Sequence, residues 1–184
     1  MGNGDGIPCS LPLVALNHVS LVCKSVESSS QFYKNVLGFN LVKRPSSFDF
    51  EGAWLFNYGV GIHLLQCKSV DDLPKKSEIN PRDNHISFQS SDVGSVEKKL
   101  EEIRMKYEKR VVEEGGVYVD QIFFHDPDGY MIEICNCHKL PVVPLSDAPV
   151  TPSRFPWLKS SSKKETDQIF SEIPLVALNS NSVF

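Results

Sequence analysis

The chain contains an internal repeat, and this repeat limits the folds open to it more than any other feature. Residues 17–21 read Asn-His-Val-Ser-Leu, and residues 84–88 read Asn-His-Ile-Ser-Phe. After each copy, apolar residues recur at helical spacing, and three strand-like segments follow the helical pattern. The repeat therefore predicts a unit of strand, helix, strand, strand and strand that occurs twice.

The segments of both predicted units can be read from the sequence. In the first unit the helical pattern covers residues 29–37 and ends at Gly38, and the strands are "FNLVKRP", "AWLFNYG" and "GIHLLQC". In the second unit Ser91 or Asp92 is the predicted helix N-cap, and the strands are "YEKRVVEE", "YVDQIFFH" and "YMIEICN". A tight turn, "DPDG", precedes the last strand.

The boundaries of these units divide the chain into parts of different character. Half of the 12 prolines follow residue 140, a composition that does not build another core. The hexapeptide "PLVALN" occurs at 12–17 and again at 174–179, and coincidence is favoured over pairing with a sheet edge. We predict a flexible N-terminus at 1–13, a first module at 14–67, a linker at 68–83, a second module at 84–137 and a mobile Pro-rich tail at 138–184.

Composition excludes several classes of protein. The 184 residues carry a net charge of −4, which does not supply the basic face that nucleic acids require. No apolar run approaches the roughly 18 residues of a membrane span, and the N-terminus lacks the pattern of a signal peptide. The five cysteines are odd in number and irregularly spaced, which predicts reduced thiols in a cytoplasmic protein.

A carboxylate lies at an unexpected place in the last strand of the second unit. Glu133 sits between Ile132 and Ile134, where an ionised group is costly unless a positive partner meets it. The last strand of the first unit has His63 at the comparable place, between Ile62 and Leu64. In both units, therefore, a residue type that can bind metal replaces an apolar one.

The first strands of the two units add a second pair of metal-binding side chains. Strand alternation places His18 and Ser20 on one face, and His85 and Ser87 on the matching face of the second copy. If the two marked faces converge, His18, His63, His85 and Glu133 surround one point, and a divalent cation there satisfies all four. The sequence thus predicts one metal site with four ligands.

Two other groups of residues are weaker candidates. The spacing of Cys135, Cys137 and His138 is not that of structural zinc sites, so we discount a thiolate site there. Three basic residues fit either a substrate carboxylate or ordinary surface solvation: Lys43, Arg44 and Arg82.

Several motifs in register resemble those of the vicinal oxygen chelate superfamily (the glyoxalase, bleomycin resistance and dioxygenase proteins), and in particular its glyoxalase I-like members. They are "NHVSL", "NHISF", "FYKNVLGF" and "HDPDGYMIEI", and the resemblance covers about residues 14–137. It implies an α+β fold in which two tandem βαβββ modules form a cupped, eight-stranded mixed sheet. It also implies one metal ion that chelates two neighbouring oxygens of a substrate.

The resemblance implies a role for each candidate residue. His18, His85 and Glu133 fall on three positions that most members use as metal ligands, and His63 falls on the fourth, which is usually Glu in glyoxalase I. The implied activity is that of a lactoylglutathione lyase, acting on the hemithioacetal of methylglyoxal and glutathione with Zn, Ni, Mn or Fe. Glu133 is then the catalytic base, and glutathione is the co-substrate in a detoxification reaction.

Because His63 replaces the usual Glu of glyoxalase I, other activities found in the superfamily remain alternatives. Two histidines and one carboxylate on Fe(II) suit an extradiol-type dioxygenase, and the same ligands on Mn(II) serve thiol transferases. A non-catalytic protein that binds a small ligand is a third alternative. The resemblance also leaves open whether the cup closes within one chain or across a homodimer.

Overall fold

The computed structural model describes residues 11–75 and 77–141 of the chain. The elements of the first repeat are β1 (His18–Cys23), α1 (Val26–Asn35), β2 (Asn40–Val42), β3 (Gly52–Asn57) and β4 (Val60–Gln66). Those of the second are β5 (His85–Gln89), α2 (Val93–Glu102), β6 (Glu108–Glu114), β7 (Val117–His125) and β8 (Met131–Cys135). Short 3-10 turns occur at Val70–Asp72 and Cys137–Lys139.

Each repeat forms one four-stranded sheet with the same topology. The strand order is β1-β4-β3-β2 in the first sheet and β5-β8-β7-β6 in the second. The first and last strands of each repeat pair in parallel, whereas β2 with β3, β3 with β4, and β6 with β7 pair antiparallel. The predicted α+β class and the doubled βαβββ plan are therefore confirmed.

The described residues form two compact units that differ slightly from the repeats. The first unit contains the residues up to Glu78 together with His125–Tyr130, and the second contains Ile79–Phe124 and continues from Met131. The turn before β8 is thus part of the first unit, although it lies within the second repeat. We refer below to these as the first and second units.

The core of the first unit lies between its sheet and α1. Alternate residues of the strands, among them Leu21, Leu55 and Ile62, are buried on the face against which α1 packs. Tyr33 and Phe32 contribute the apolar side of α1. The opposite face of each strand is left for the remaining side chains, because successive residues of a strand point to opposite sides.

Local signals in the sequence explain where the two helices begin and end. The Ser25 side chain accepts a hydrogen bond from the Ser28 amide at the start of α1, and Asp92 caps α2 through the Ser95 amide. The predicted N-cap Asp92 is therefore confirmed. Gly38 follows α1 with a φ of +75°, a left-handed conformation that glycine adopts without a steric penalty.

The "DPDG" turn is held to the first unit by two buried carboxylates. Asp128 accepts hydrogen bonds from the Lys24 amide at 2.7 Å and from the Ser29 hydroxyl at 2.5 Å. Asp126 accepts from the Tyr33 hydroxyl at 2.9 Å and from two amides of the turn itself. Burial raises the pKa of Asp126, and these hydrogen bonds partly offset that effect.

Three expectations about the rest of the chain have different outcomes. The predicted flexible N-terminus and Pro-rich tail, with the second "PLVALN", lie almost wholly outside the described residues. Within those residues, no helix is long and apolar enough to cross a membrane. The expectation of reduced thiols is wrong for Cys135 and Cys137, which form a disulfide because the turn at the end of β8 brings their Cα atoms to 5.4 Å; Cys23 and Cys67 are free.

Candidate metal centre

The first unit brings its two predicted metal ligands together. The rings of His18 on β1 and His63 on β4 are stacked, with centroids 3.9 Å apart. Gly61 pairs with His18 in the register of β1 with β4. A Cβ at Gly61 would lie 3.1 Å from the Cβ of His18, so His18 would have to shift by a few tenths of an ångström, whereas 3.5 Å from Nε2 of His63 is ordinary van der Waals contact.

The surroundings of both rings bear on their suitability as metal ligands. Nδ1 of His18 lies 2.7 Å from Oδ1 of Asn17, which leaves Nε2 available as the coordinating atom. Burial and the neighbouring His18 lower the pKa of His63. A lowered pKa favours the neutral imidazole, which is the form that binds metal.

The second unit brings together the other predicted pair. Glu133 on β8 is buried, and its Oε2 lies 3.3 Å from Nε2 of His85 on β5. Its Oε1 accepts a hydrogen bond of 2.5 Å from Nε2 of the Gln121 side chain on β7. Nδ1 of His85 lies 2.7 Å from the carbonyl oxygen of Asp83, so Nε2 is again the ring nitrogen left for coordination.

These residues fit a divalent cation by their chemistry. Three imidazoles and one carboxylate are ligands that Zn, Ni, Mn and Fe accept, and they include no thiolate of the kind that closes structural zinc sites. Two of the imidazoles are oriented through Nδ1 by an oxygen acceptor, an arrangement typical of histidines that bind metal through Nε2. The structure thus assembles the two members of each predicted pair.

The sequence did not indicate the residues that orient this set. Gln121 is a polar residue just before the apolar run "IFF" of β7. Its position there was the one feature of the sequence that could have pointed to a role near Glu133. Asn17 and Asn84 precede the two repeated histidines, but only Asn17 orients its histidine with a side chain. In the second unit the carbonyl of Asp83 takes that role.

An aromatic surface beside His63 was also missed. The Trp54 ring on β3 is stacked on His63 with centroids 4.2 Å apart, and Phe48 lies 5.6 Å from Trp54. The guanidinium of Arg44 lies over the rings of Phe48 and Phe50, at 4.9 and 4.6 Å from their centroids. This aromatic surface, made of Phe48, Phe50 and Trp54, exposes 41% of Phe48 and 44% of Phe50.

A group of sulfur atoms lies next to Glu133. The ligand atoms of Glu133, Cys135 and Cys137 are within 4.8 Å of one another. The argument from cysteine spacing discounted these thiols, yet strand alternation places Cys135 on the same face as Glu133. In the structure both sulfurs belong to the disulfide, so neither is a thiolate ligand.

Comparisons with known proteins agree with this fold. The chain is 62% identical over 135 residues to a protein of Arabidopsis thaliana named Glyoxylase I 4, covering 73% of this chain and 78% of the relative. It is 23% identical over 129 residues to the uncharacterised protein YwkD of Bacillus subtilis, covering 66% of this chain and 96% of that protein.

Solved structures support the fold. A glyoxalase/dioxygenase from Nostoc punctiforme is similar with a TM-score of 0.52 at 18% identity, over 69% of this chain and 97% of that one. The sequence model of one family matches residues 15–134, which contain all four candidate ligands. The chain therefore belongs to the Glyoxalase/Bleomycin resistance protein/Dioxygenase superfamily.

Proposed function

We propose that the protein is a metal-dependent, glyoxalase I-like lyase that converts the hemithioacetal of methylglyoxal and glutathione into lactoylglutathione. The observation that carries this proposal is the buried carboxylate of Glu133, held between Gln121 and His85. The 62% identity to Glyoxylase I 4 supports the choice of reaction, because it extends over most of both chains.

In this proposal the four residues of the two pairs bind one cation. His18 and His85 use Nε2, since Nδ1 of each is occupied by an oxygen acceptor. His63 and Glu133 complete the set. When bound, the cation supplies positive charge that stabilises the oxyanions developing on two neighbouring oxygens of the substrate.

Glu133 is the proposed base for the proton transfer. Its carboxylate takes the proton from the carbon that bears sulfur and returns it to the neighbouring carbon, which gives the thioester product. The hydrogen bond from Gln121 to Oε1 fixes the plane of the carboxylate, so that the proton moves to and from a defined position. Burial beside Ile132 and Ile134 keeps bulk water away from the group.

The aromatic surface of the first unit lies beside one of the proposed ligands. Trp54 stacks directly on the candidate ligand His63, and Phe48 extends the apolar area. An apolar surface at this place binds the methyl group and the thioether carbons of the hemithioacetal by removing them from water. Arg44 lies at the edge of the surface, with one guanidinium nitrogen donating to the Phe50 carbonyl at 2.8 Å.

The test is a direct assay of the proposed reaction. Protein is stripped of metal, loaded separately with Zn(II), Ni(II), Mn(II) or Fe(II), and mixed with methylglyoxal and glutathione. We expect thioester formation with at least one metal. Glu133→Gln keeps the shape and the hydrogen-bonding capacity of the side chain but removes the base, so the rate should fall by a factor of about 10²–10⁴.

A control variant and two alternative assay results define what would contradict the proposal. Glu108→Gln, a change in a partly exposed glutamate of β6, is the control and should leave the rate unchanged. If no metal supports thioester formation while the Fe(II) form consumes oxygen in the presence of catechols, the protein is a dioxygenase. Silence in both assays, with tight binding of a small ligand, would indicate a binding protein.

A further inference from the structure

We propose that Cys135 and Cys137 form a reversible dithiol–disulfide centre that exchanges with glutathione disulfide. The two cysteines are joined in the structure, with Cα atoms 5.4 Å apart, inside the range that disulfides span. A single residue separates them along the chain, so the partners meet without any rearrangement of the fold. This inference does not depend on the proposed lyase activity.

The surroundings of the two sulfurs differ, and this difference assigns their roles. Cys135 is the last residue of β8 and is 3% exposed. Cys137 opens the following 3-10 turn and is half-buried, so it is the cysteine that a solute reaches. The Sγ of Cys135 also lies 3.7 Å from the Ser87 hydroxyl and accepts a hydrogen bond from the Cys137 amide at 3.4 Å.

Neighbouring hydrogen bonds hold the backbone around this centre. Between the two cysteines, Asn136 accepts from the Asp120 amide at 2.8 Å and donates to the Asp120 carboxylate at 3.1 Å. On the other side, Gln89 donates to the Cys135 carbonyl at 3.2 Å and accepts from the His138 amide at 3.1 Å. None of these bonds involves sulfur, so they persist when the disulfide opens and the two thiols stay close enough to close again.

The exchange proceeds in two balanced steps. The thiolate of Cys137 attacks one sulfur of glutathione disulfide, which forms a mixed disulfide and releases one glutathione thiolate. The thiolate of Cys135 then attacks the Cys137 sulfur, which closes the internal disulfide and releases the second glutathione. The two protein thiols are oxidised, glutathione disulfide is reduced, and the two thiol protons pass to the two glutathione thiolates.

The centre acts on its surroundings through Glu133. Cys135 follows Glu133 by two residues on the same face of β8, and the ligand atoms of Glu133 and both cysteines lie within 4.8 Å of one another. Opening the disulfide replaces one apolar sulfur bridge near the carboxylate by two thiols. The oxidation state therefore changes the polarity of the groups within 4.8 Å of the Glu133 carboxylate.

The test measures oxidation directly and needs no enzyme activity. The full chain with Cys9→Ser, which removes a thiol outside the described residues, is equilibrated in buffers of varied glutathione to glutathione disulfide ratio and then alkylated. Peptide mass analysis should show Cys135 and Cys137 either both alkylated, when reduced, or both protected from alkylation, when oxidised. The ratio at which half of the protein is oxidised should lie within the tested range and be the same in both directions. Double alkylation at every ratio, including glutathione disulfide alone, would overturn the proposal.

Variants test the assigned order of attack. Cys135→Ser should accumulate one glutathione on Cys137, whereas Cys137→Ser should leave the buried Cys135 unmodified; the reverse pattern overturns the assignment. Cys67→Ser is the matched control, since Cys67 is half-buried but free, and it should leave the midpoint unchanged. A shifted midpoint in that variant would show that the cysteines pair differently.

The coupling to Glu133 has its own measurement. The affinity for Mn(II), an ion that thiolates bind poorly, is compared between the oxidised and the reduced wild-type protein. We expect the two affinities to differ about tenfold. This is the lower end of the change in metal affinity that follows from altering a group beside a metal ligand. Equal affinities would overturn the coupling while leaving the disulfide exchange, measured by alkylation, as a separate result.

Discussion

The two units share one topology but present different chemistry at the same place. His63 in the first unit and Glu133 in the second occupy equivalent positions on the last strand, and each lies beside a histidine of the first strand. In the first unit the result is a stack of two imidazoles. In the second it is an imidazole and a buried carboxylate. The two repeats have the same backbone register, but the side chains at this position of the last strand differ in charge.

This difference separates the contributions of the two pairs to cation binding. The His18–His63 pair contains no carboxylate, and the lowered pKa of His63 favours its neutral imidazole. The carboxylate of Glu133 supplies the negative charge that a cation needs, and the side-chain amide of Gln121 stabilises that charge by donating a hydrogen bond to Oε1. We infer that the pair with the carboxylate contributes more to metal affinity than the pair of imidazoles.

The largest effect should come from removing the charged residue of the second unit. Glu133→Ala or His85→Ala is expected to abolish stoichiometric metal, because each change breaks the pair that carries the negative charge. His63→Ala should retain metal with a modest loss of affinity. Metal content after purification without chelator, followed by titration, measures both. If His63→Ala and Glu133→Ala lose metal equally, the two units contribute equally and the comparison above is wrong.

A second, smaller effect should follow from removing the orienting residues. Gln121→Leu and Asn17→Ala leave all four candidate ligands in place but remove a hydrogen bond to one ligand in each unit. Losses of metal affinity of about 10–100-fold are typical of such changes. Gln121→Leu should cost more, because it leaves an oxygen of a buried carboxylate without its donor.

The control for this pair of variants is Gln31→Leu. Gln31 lies on α1 and is exposed, and its carbonyl accepts a hydrogen bond from Asn35 away from the candidate site. It should leave metal affinity unchanged. A larger loss in Asn17→Ala than in Gln121→Leu would assign the dominant role to the first unit.

His63→Glu removes the difference between the two units. Both closing strands would then carry a carboxylate, as the glyoxalase I pattern expects. We expect lyase turnover to rise by a few-fold if that chemistry is native, measured as kcat with each metal. The loss of the stack on Trp54 should also lower stability slightly, since an aromatic pair contributes about 0.5–1.5 kcal/mol beyond its buried area. Unchanged or lower turnover would show that His63 suits the native reaction.

The repeat, the element order and the members of each candidate pair were accessible from the sequence for one reason. Strand alternation and helix periodicity repeat every few residues, so a pattern such as "NHVSL" and "NHISF" fixes which side chains share a face. The repeat also gives each unit one candidate ligand on its first strand and one on its last. The parallel pairing of these strands, β1 with β4 and β5 with β8, is seen only in the structure.

The residues that the sequence did not indicate depend on strand register or on contacts between distant segments. Gln121 donates to Glu133 from the neighbouring strand β7, and Trp54 stacks on His63 through the register of β3 with β4. The buried Asp126 and Asp128 bond to α1, about 100 residues earlier, although their turn was correctly recognised. The disulfide of Cys135 and Cys137 was missed because spacing alone does not determine how the chain turns after a strand.

The smallest expected effect compares one carboxylate from each unit by its pH dependence. Burial raises the pKa of Asp126, whereas hydrogen bonds from Ser95 lower the pKa of the exposed cap Asp92, both relative to 3.8. The contribution of Asp126 to stability is present below that value and is lost as pH rises through its folded pKa. The contribution of Asp92 is present above that value and is lost as pH falls through its folded pKa.

Asp126→Asn and Asp92→Asn should therefore show opposite trends in the free energy of unfolding relative to wild type. As pH rises from about 3.8 toward 7, Asp126→Asn should gain stability relative to wild type. As pH falls below 3.8, the disadvantage of Asp92→Asn should shrink. Urea unfolding at several pH values measures both differences, and subtracting wild type removes the titration of all other groups. If the unfolding free energies of the two variants, relative to wild type, change with pH in the same direction, the assignment of opposite pKa shifts is wrong. A raised and a lowered pKa give opposite dependences of this free energy on pH.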